Sequence, residues 1–313
     1  MTLLALDFGG TKHTAGIILP GGSEWLAREQ VFSPDHPDAR SDLETMLAMA
    51  RKLLGGSQPE AVGVSFGGPV NARRGLVRLS HHVAGWENTP LADILMQELG
   101  APVRVDNDAN VAALGEKRYG AGQGYESLFY ITVSTGVGGG WILNDRIWQG
   151  KDGMAGEIGH MVVDPEGPQC LCGKRGCVER LASGPYMALD ARRSMESDPQ
   201  SGLILRRLCL GDIAAIDGRL ISQAAEEGDP LAAELLERSA WALGTGIGNA
   251  ANLVNPQRFI LGGGVTKSGE FWWDCIRRTA RQTALPEVEI DIVPAFLGDD
   301  APLWGAAALA TGD

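Results

Sequence analysis

Two stretches of this chain repeat one pattern, and that pattern restricts the folds open to it. Leu3-Leu4-Ala5-Leu6 runs into Asp7-Phe8-Gly9-Gly10-Thr11-Lys12, then Thr14-Ala15-Gly16-Ile17-Ile18-Leu19. Leu128-Phe129-Tyr130-Ile131-Thr132-Val133 runs into Ser134-Thr135-Gly136-Val137-Gly138-Gly139-Gly140, then Trp141-Ile142-Leu143. Each reads as strand, glycine turn, strand. A Walker A loop and a Rossmann fingerprint both need a helix after the glycines, so a hairpin argues against either. The chain holds 43 glycines in 313 residues, about twice the usual share. They are clustered without a Gly-X-Y period, which excludes collagen. Such clusters mark loops where backbone comes close to a ligand.

Helical patterns separate the strands. Ser41-Asp42-Leu43-Glu44 reads as a capping box, with Ser41 at the N-cap and Glu44 at N3. Leu43, Met46, Leu47, Ala50, Leu53 and Leu54 follow at helical spacing, and Gly55-Gly56 ends the run. Asp229-Pro230 opens a second helical run that ends near Asn255-Pro256. Gly244, Gly246 and Gly248 lie inside it, a cost of about 3 kcal/mol in helix propensity. Either the helix stops early, or one face of it sits against another backbone. Arg258-Phe259-Ile260-Leu261 reads as a buried strand that enters Gly262-Gly263-Gly264, a third place for a ligand against backbone. Alternating strands and helices make the chain α/β.

Its length allows about two domains of roughly 150 residues and a large core. No linker is visible, so the boundary is expected as a hinge near Leu114–Gly120. The longest uncharged stretches, Ser127–Asn144 and Ser239–Gln257, are broken by glycine, asparagine or proline and do not read as membrane spans. The first seven residues lack the basic region of a signal peptide. A cytoplasmic location is the expectation. The net charge of −12 lacks the basic footprint of a general nucleic-acid binder, although backbone N–H groups and Mg²⁺ can still hold phosphate.

In that setting clustered cysteines more often mean metal than disulfide. Cys170, Cys172 and Cys177 fall within eight residues, and His160 lies ten residues upstream. A Cys₃His set is a standard tetrahedral Zn²⁺ complement, and Gly173 and Gly176 permit the tight turns it needs. All four positions are filled by protein, so the ion is expected to be structural. Glu157 and Glu179 flank this segment. Paired carboxylates on a braced loop suit the vicinal hydroxyls of a sugar. Cys209 and Cys275 are isolated thiols.

Val103-Arg104-Val105 leads into Asp106-Asn107-Asp108-Ala109-Asn110, a strand end followed by a helix. Asp108 is a candidate N-cap. Polar residues at a strand's C-terminal end also mark ligand sites in open α/β sheets, and a carboxylate there can take a hydroxyl proton.

Together these residues resemble the ROK family of sugar kinases and repressors. The likeness covers nearly the whole chain and rests most specifically on Gly156-Glu157-Ile158-Gly159-His160 and Cys170-x-Cys172-Gly173-x-x-Gly176-Cys177-x-Glu179. It implies an actin-like, ribonuclease-H-like fold of two α/β domains around a cleft. The N-terminal domain would take residues 1–116 plus 301–313, with the first phosphate loop and the catalytic aspartate, because the family's last helix packs back on it. The C-terminal domain, 117–300, would hold the second phosphate loop, the zinc motif and the adenosine region. The implied reaction is phosphorylation of a hexose by ATP with Mg²⁺, most simply of glucose at its 6-hydroxyl.

By the same resemblance Asp108 is the catalytic base. Sugar contacts would come from Gly68, His82, Asn107, Asp108, Glu157, His160 and Glu179. Nucleotide contacts would come from Asp7, Gly9, Gly10, Thr11, Lys12, Thr135, Gly136, Gly138, Gly262, Gly263 and Gly264. His160 would bind zinc and face the sugar through its other nitrogen. One departure is His82, which stands where many members have a sugar-binding asparagine; an imidazole makes one hydrogen bond there rather than two to a diol. A kinase for N-acetylmannosamine or N-acetylglucosamine is the nearest alternative. The family's repressors carry a winged helix ahead of the first glycine loop, for which Asp7 comes too early. A sugar-binding protein without catalysis would not need Asp108 and two phosphate loops. Family members also suggest a homodimer or homotetramer.

Overall fold

The computed structural model describes residues 2–80 and 83–312. In chain order the first strands are β1 (Leu3–Phe8), β2 (Lys12–Ile18), β3 (Ala27–Phe32), β4 (Ala61–Phe66), β5 (Val70–Asn71), β6 (Leu76–Val77) and β7 (Val103–Asn107). They are followed by β8 (Leu128–Val133), β9 (Val137–Leu143), β10 (Arg146–Ile147), β11 (Arg258–Gly262) and β12 (Ile292–Pro294). The helices are α1 (Ala39–Leu54), α2 (Leu91–Leu99), α3 (Asp108–Tyr119), α4 (Val178–Ala182) and α5 (Gly184–Ser197). After them come α6 (Leu203–Leu208), α7 (Gly218–Glu226), α8 (Pro230–Val254), α9 (Glu270–Thr283) and α10 (Ala301–Thr311). Among the described residues, no helix is long and apolar enough to cross a membrane.

Two five-stranded sheets share one plan, in the orders β3-β2-β1-β4-β7 and β10-β9-β8-β11-β12. In the first, β1 pairs antiparallel with β2 (Leu3 opposite Ile18) and parallel with β4 (Leu3 opposite Ala61). β7 then continues the parallel run (Val62 opposite Val103). The expected hairpin is therefore present, and its turn carries Gly9-Gly10-Thr11. β8 and β9 are likewise neighbours joined at Ser134–Gly136.

The chain divides into two units: 1–130, 140–156 and 295–313 form the first, and 131–139 and 157–294 the second. The segment expected to hold the boundary, Leu114–Gly120, is the second half of α3 and its C-cap Gly120. Segments 117–130, 140–156 and 295–300 group with the first unit by contact, which the chain order does not suggest. Phe8, Phe66 and Trp86 form an aromatic cluster at the centre of that unit, with ring centroids 4.9–6.1 Å apart.

Three helices show how local signals and packing interact. α1 starts one turn earlier than its Ser41/Glu44 pattern suggests: Asp38 accepts from the Ser41 N–H at 2.7 Å, and the Ser41 hydroxyl accepts from the Asp38 N–H at 3.0 Å. The Ala39 N–H, bonded to the Ala84 carbonyl at 2.9 Å, holds the earlier start. α8 runs unbroken through its three glycines, capped by Asp229 and by left-handed Asn255. A Cβ on Gly244 would lie 2.8 Å from the Ile276 carbonyl oxygen, and one on Gly248 2.8 Å from that of Ala280. Close approach to α9 is thus the reason for Gly244 and Gly248, while Gly246 faces Val178 and Ile158. The final helix does pack on the first unit: a Cβ on Gly305 would lie 1.7 Å from the Val111 oxygen of α3.

Candidate functional site

In the first unit the polar residues gather where β1, β4 and β7 end. Asp7 and Ser65 are paired across β1 and β4, and both are buried. Burial pushes the Asp7 carboxyl up to about 7, and the charge of Asp108 adds to this. The Ser65 hydroxyl, Lys12 and His13 pull the other way. The charges of Asp7 and Asp108 therefore act on one another. In the adjoining turn a Cβ on Gly9 would meet the Lys12 carbonyl at 2.7 Å, so only glycine fits there. The Thr11 carbonyl accepts from the Ser33 N–H at 3.0 Å, which secures the turn from behind.

β7 hands over to α3 at the candidate base. Asn107, not Asp108, is the N-cap: its Oδ1 accepts from the Ala109 N–H at 3.0 Å. The Asn107 amide nitrogen donates to the Gly68 carbonyl at 3.0 Å, so these two expected sugar contacts are held together. Asp108 is the first helical residue, and its Oδ1 also accepts from the Ala109 N–H, at 2.8 Å. Asp106 is buried, which pushes its carboxyl up, while donors from Asn110, Gln149 and Asn107 oppose that shift. Gln149, the partner from 43 residues further along, had no signal in the sequence.

In the second unit the turn after β8 is shaped by Glu179. Its Oε2 accepts from the Val137 N–H at 2.9 Å, and a Cβ on Gly136 would lie 2.7 Å from that oxygen. Glu179 thus supports the glycine turn. Gly138 continues into β9. Gly263 is left-handed at φ 90°, and a Cβ there would press on the Val133 carbonyl at 2.4 Å. Gly262 ends β11, and Gly264 has open space beside it. A cavity of about 590 Å³ opens there, walled by Thr135, Pro185, Ala188, Ile216, Gly264 and Val265. Its apolar walls suit a flat ring. The contributions of Pro185, Ala188 and Ile216 were missed from sequence, because they arrive from segments without a motif.

Glu157 is exposed and precedes a single turn of 3₁₀ helix that ends at His160. The ligand atoms of His160, Cys170, Cys172 and Cys177 all lie within 4.8 Å of one another. The Cys172 and Cys177 sulfurs are 3.6 Å apart. Tetrahedral Zn²⁺ with Zn–S of about 2.3 Å places its sulfurs about 3.8 Å apart, against about 2.05 Å in a disulfide. The His160 Nδ1 is buried without a hydrogen-bond partner, an orphan that a cation would satisfy. Burial pushes the Cys177 thiol up to about 12, so thiolate there calls for a compensating cation. The donors present thus fit Zn²⁺. His82 lies outside the described residues.

Two sheets on one plan, each opening at a glycine turn beside a carboxylate, define an α/β protein of the actin-like ATPase fold. The ROK family model matches residues 3–313, and the chain belongs to that family. It is 34% identical over 310 residues to a glucokinase of Streptomyces coelicolor, covering 98% of this chain and 96% of that one. It is 32% identical over 314 residues to an N-acetylmannosamine kinase of Shigella flexneri, covering 100% and 99%. Among solved structures it resembles a ROK glucokinase from Streptomyces griseus in complex with glucose and AMPPNP. That match has a TM-score of 0.84, 36% identity and full coverage of both chains.

Proposed function

We propose that this protein transfers the γ-phosphoryl group of ATP to glucose, at the 6-hydroxyl. The observation that carries this reading is Asp108 at the first turn of α3, held by the Ala109 N–H and electrostatically coupled to Asp7. The glucokinase relatives support it at 34% identity over nearly the whole chain. In this reading Asn107, Gly68, Glu157, His160 and Glu179 orient the sugar, with His82 as a further contact. Asp108 accepts the proton of the hydroxyl that attacks the γ-phosphorus, and ADP leaves. The turns at Gly9–Thr11 and Thr135–Gly138 present backbone N–H groups to the phosphates. Gly262, Gly263 and Gly264 border the nucleoside.

Phosphoryl transfer is chiefly positioning and charge stabilisation. Mg²⁺, when bound, would neutralise phosphate charge; in this reading Asp7 would hold it, and Lys12 would offer a further positive charge to the phosphates. Zn²⁺ on His160, Cys170, Cys172 and Cys177 would brace the segment that bears Glu157 and Glu179. The N-acetylmannosamine kinase relative, at 32% identity, keeps that sugar as the second reading. Self-association as a homodimer or homotetramer is part of the proposal, checked by light scattering.

The test is Asp108→Asn. General-base catalysis is typically worth about 10²–10⁴-fold, and kcat is expected to fall by that order while glucose still binds by calorimetry. Turnover within about tenfold of the parent removes Asp108 from the role. A coupled ADP-release screen over glucose, mannose, fructose, N-acetylmannosamine and N-acetylglucosamine decides the sugar.

A further inference from the structure

Asp106 takes no part in the chemistry above, yet it is among the most heavily bonded side chains of the first unit. It is 2% exposed and stands two residues before Asp108. Its Oδ1 accepts from the Asn107 N–H at 2.7 Å and from the Asn110 amide nitrogen at 3.0 Å. Its Oδ2 accepts from the Gln149 amide nitrogen at 2.6 Å. Gln149 follows β10 and comes from 43 residues further along the chain. Its own carbonyl accepts from the Ala155 N–H at 3.2 Å, closing the segment 149–155 on itself. One hydrogen bond to a buried carboxylate therefore ties this loop to the end of β7.

The tie reaches the candidate base through a short series of bonds. Asp106 fixes the Asn107 N–H. Asn107 in turn fixes the Ala109 N–H and the Gly68 carbonyl, and the same Ala109 N–H is shared with the Asp108 carboxylate. We propose that Asp106 and Gln149 are a positioning pair that sets the turn from which Asp108 projects, so that the 149–155 loop governs turnover without touching substrate. This rests on Asp108 being the base. A bond to an ionised acceptor is among the stronger hydrogen bonds, and its loss leaves a buried carboxylate short of a donor. The relaxation that follows is passed to the first turn of α3, where a 1 Å misplacement can cost about 10²-fold in rate.

The experiment uses Gln149→Leu, which keeps the bulk and removes the donor. We expect kcat to fall about tenfold or more, with the KM for glucose within about threefold and the circular dichroism unchanged. In an Asp108→Asn background the same change is expected to cost less than about twofold, since there is no base left to misplace. Losses that multiply overturn the proposal. Gln149→Glu sets two carboxylates against each other and should lower kcat further; adding Asp106→Asn restores a donor–acceptor pair and is expected to regain about fivefold or more. No regain overturns the pairing. If Asp108→Asn alone stays within about tenfold of the parent, the base assignment has failed. The swap of residues 106 and 149 then still reports on whether the pair governs turnover.

Discussion

Substituting Gly305 with alanine adds a single methyl group where α10 has no room on either side. An ideal Cβ there lies 1.7 Å from the Val111 carbonyl oxygen and 2.5 Å from its carbon, whereas ordinary contact begins at 3.4 Å. The obstacle is the backbone of α3, so no rotamer change relieves it. Nor can α10 withdraw towards the sheet, because on its far side the Ala306 oxygen already stands 1.8 Å from where a Cβ on Gly63 of β4 would be. Alanine improves helix propensity by about 1 kcal/mol over glycine. Overpacking a filled core costs about 1–3 kcal/mol and sometimes more, and a clash blocked on both faces belongs at the upper end. The expected net loss is about 2 kcal/mol, or about 4–8 °C in the unfolding midpoint of a unit of this size. Thermal unfolding followed by circular dichroism measures it. An unchanged or higher midpoint would falsify the account of α10 as clamped. Because α3 begins at Asp108, kcat should fall alongside stability.

Removing one cysteine tests the metal. The parent is expected to carry about one Zn²⁺ per chain by elemental analysis, and Cys172→Ala to lose it together with much of its glucose affinity; freshly purified parent without zinc refutes the assignment. The buried Asp7 predicts a pH dependence of folding. Its carboxyl is raised from 3.8 to about 7, so between those values the native state keeps a proton that the unfolded chain has released. The stability this group allows is therefore full below about pH 4 and is lost as pH climbs towards about 7. Asp7→Asn removes that loss, so its stability advantage over the parent, read by chemical denaturation, should widen between about pH 5 and about pH 8. An advantage that narrows over this range contradicts the burial argument.

Features encoded over short spans are legible in the sequence. The hairpin of β1 and β2 follows from apolar runs on either side of Gly9-Gly10. The four candidate ligands His160, Cys170, Cys172 and Cys177 converge as their spacing suggests. α8 starts at the expected Asp229-Pro230 and ends near the expected Asn255-Pro256. The start of α1 differs from its Ser41/Glu44 pattern because Asp38/Ser41 and Ser41/Glu44 are overlapping capping patterns, and a backbone bond from Ala39 to Ala84 chooses between them. Asn107 rather than Asp108 caps α3 because its side chain, held also by Gly68, points back at the Ala109 N–H.

Residue order alone thus carried the glycine turns, the convergence of His160 with Cys170, Cys172 and Cys177, and the strand-to-helix turn at Asp108, since each depends on neighbours within about twenty positions. What tertiary structure alone decided are contacts made across the chain: Gln149 on Asp106, the clamp on Gly305, and the apolar cavity beside Gly264. The physical reason is that such contacts depend on how helices and strands register once packed. A glycine in a helix reads the same on paper whether it faces water or another backbone, and only packing distinguishes the two.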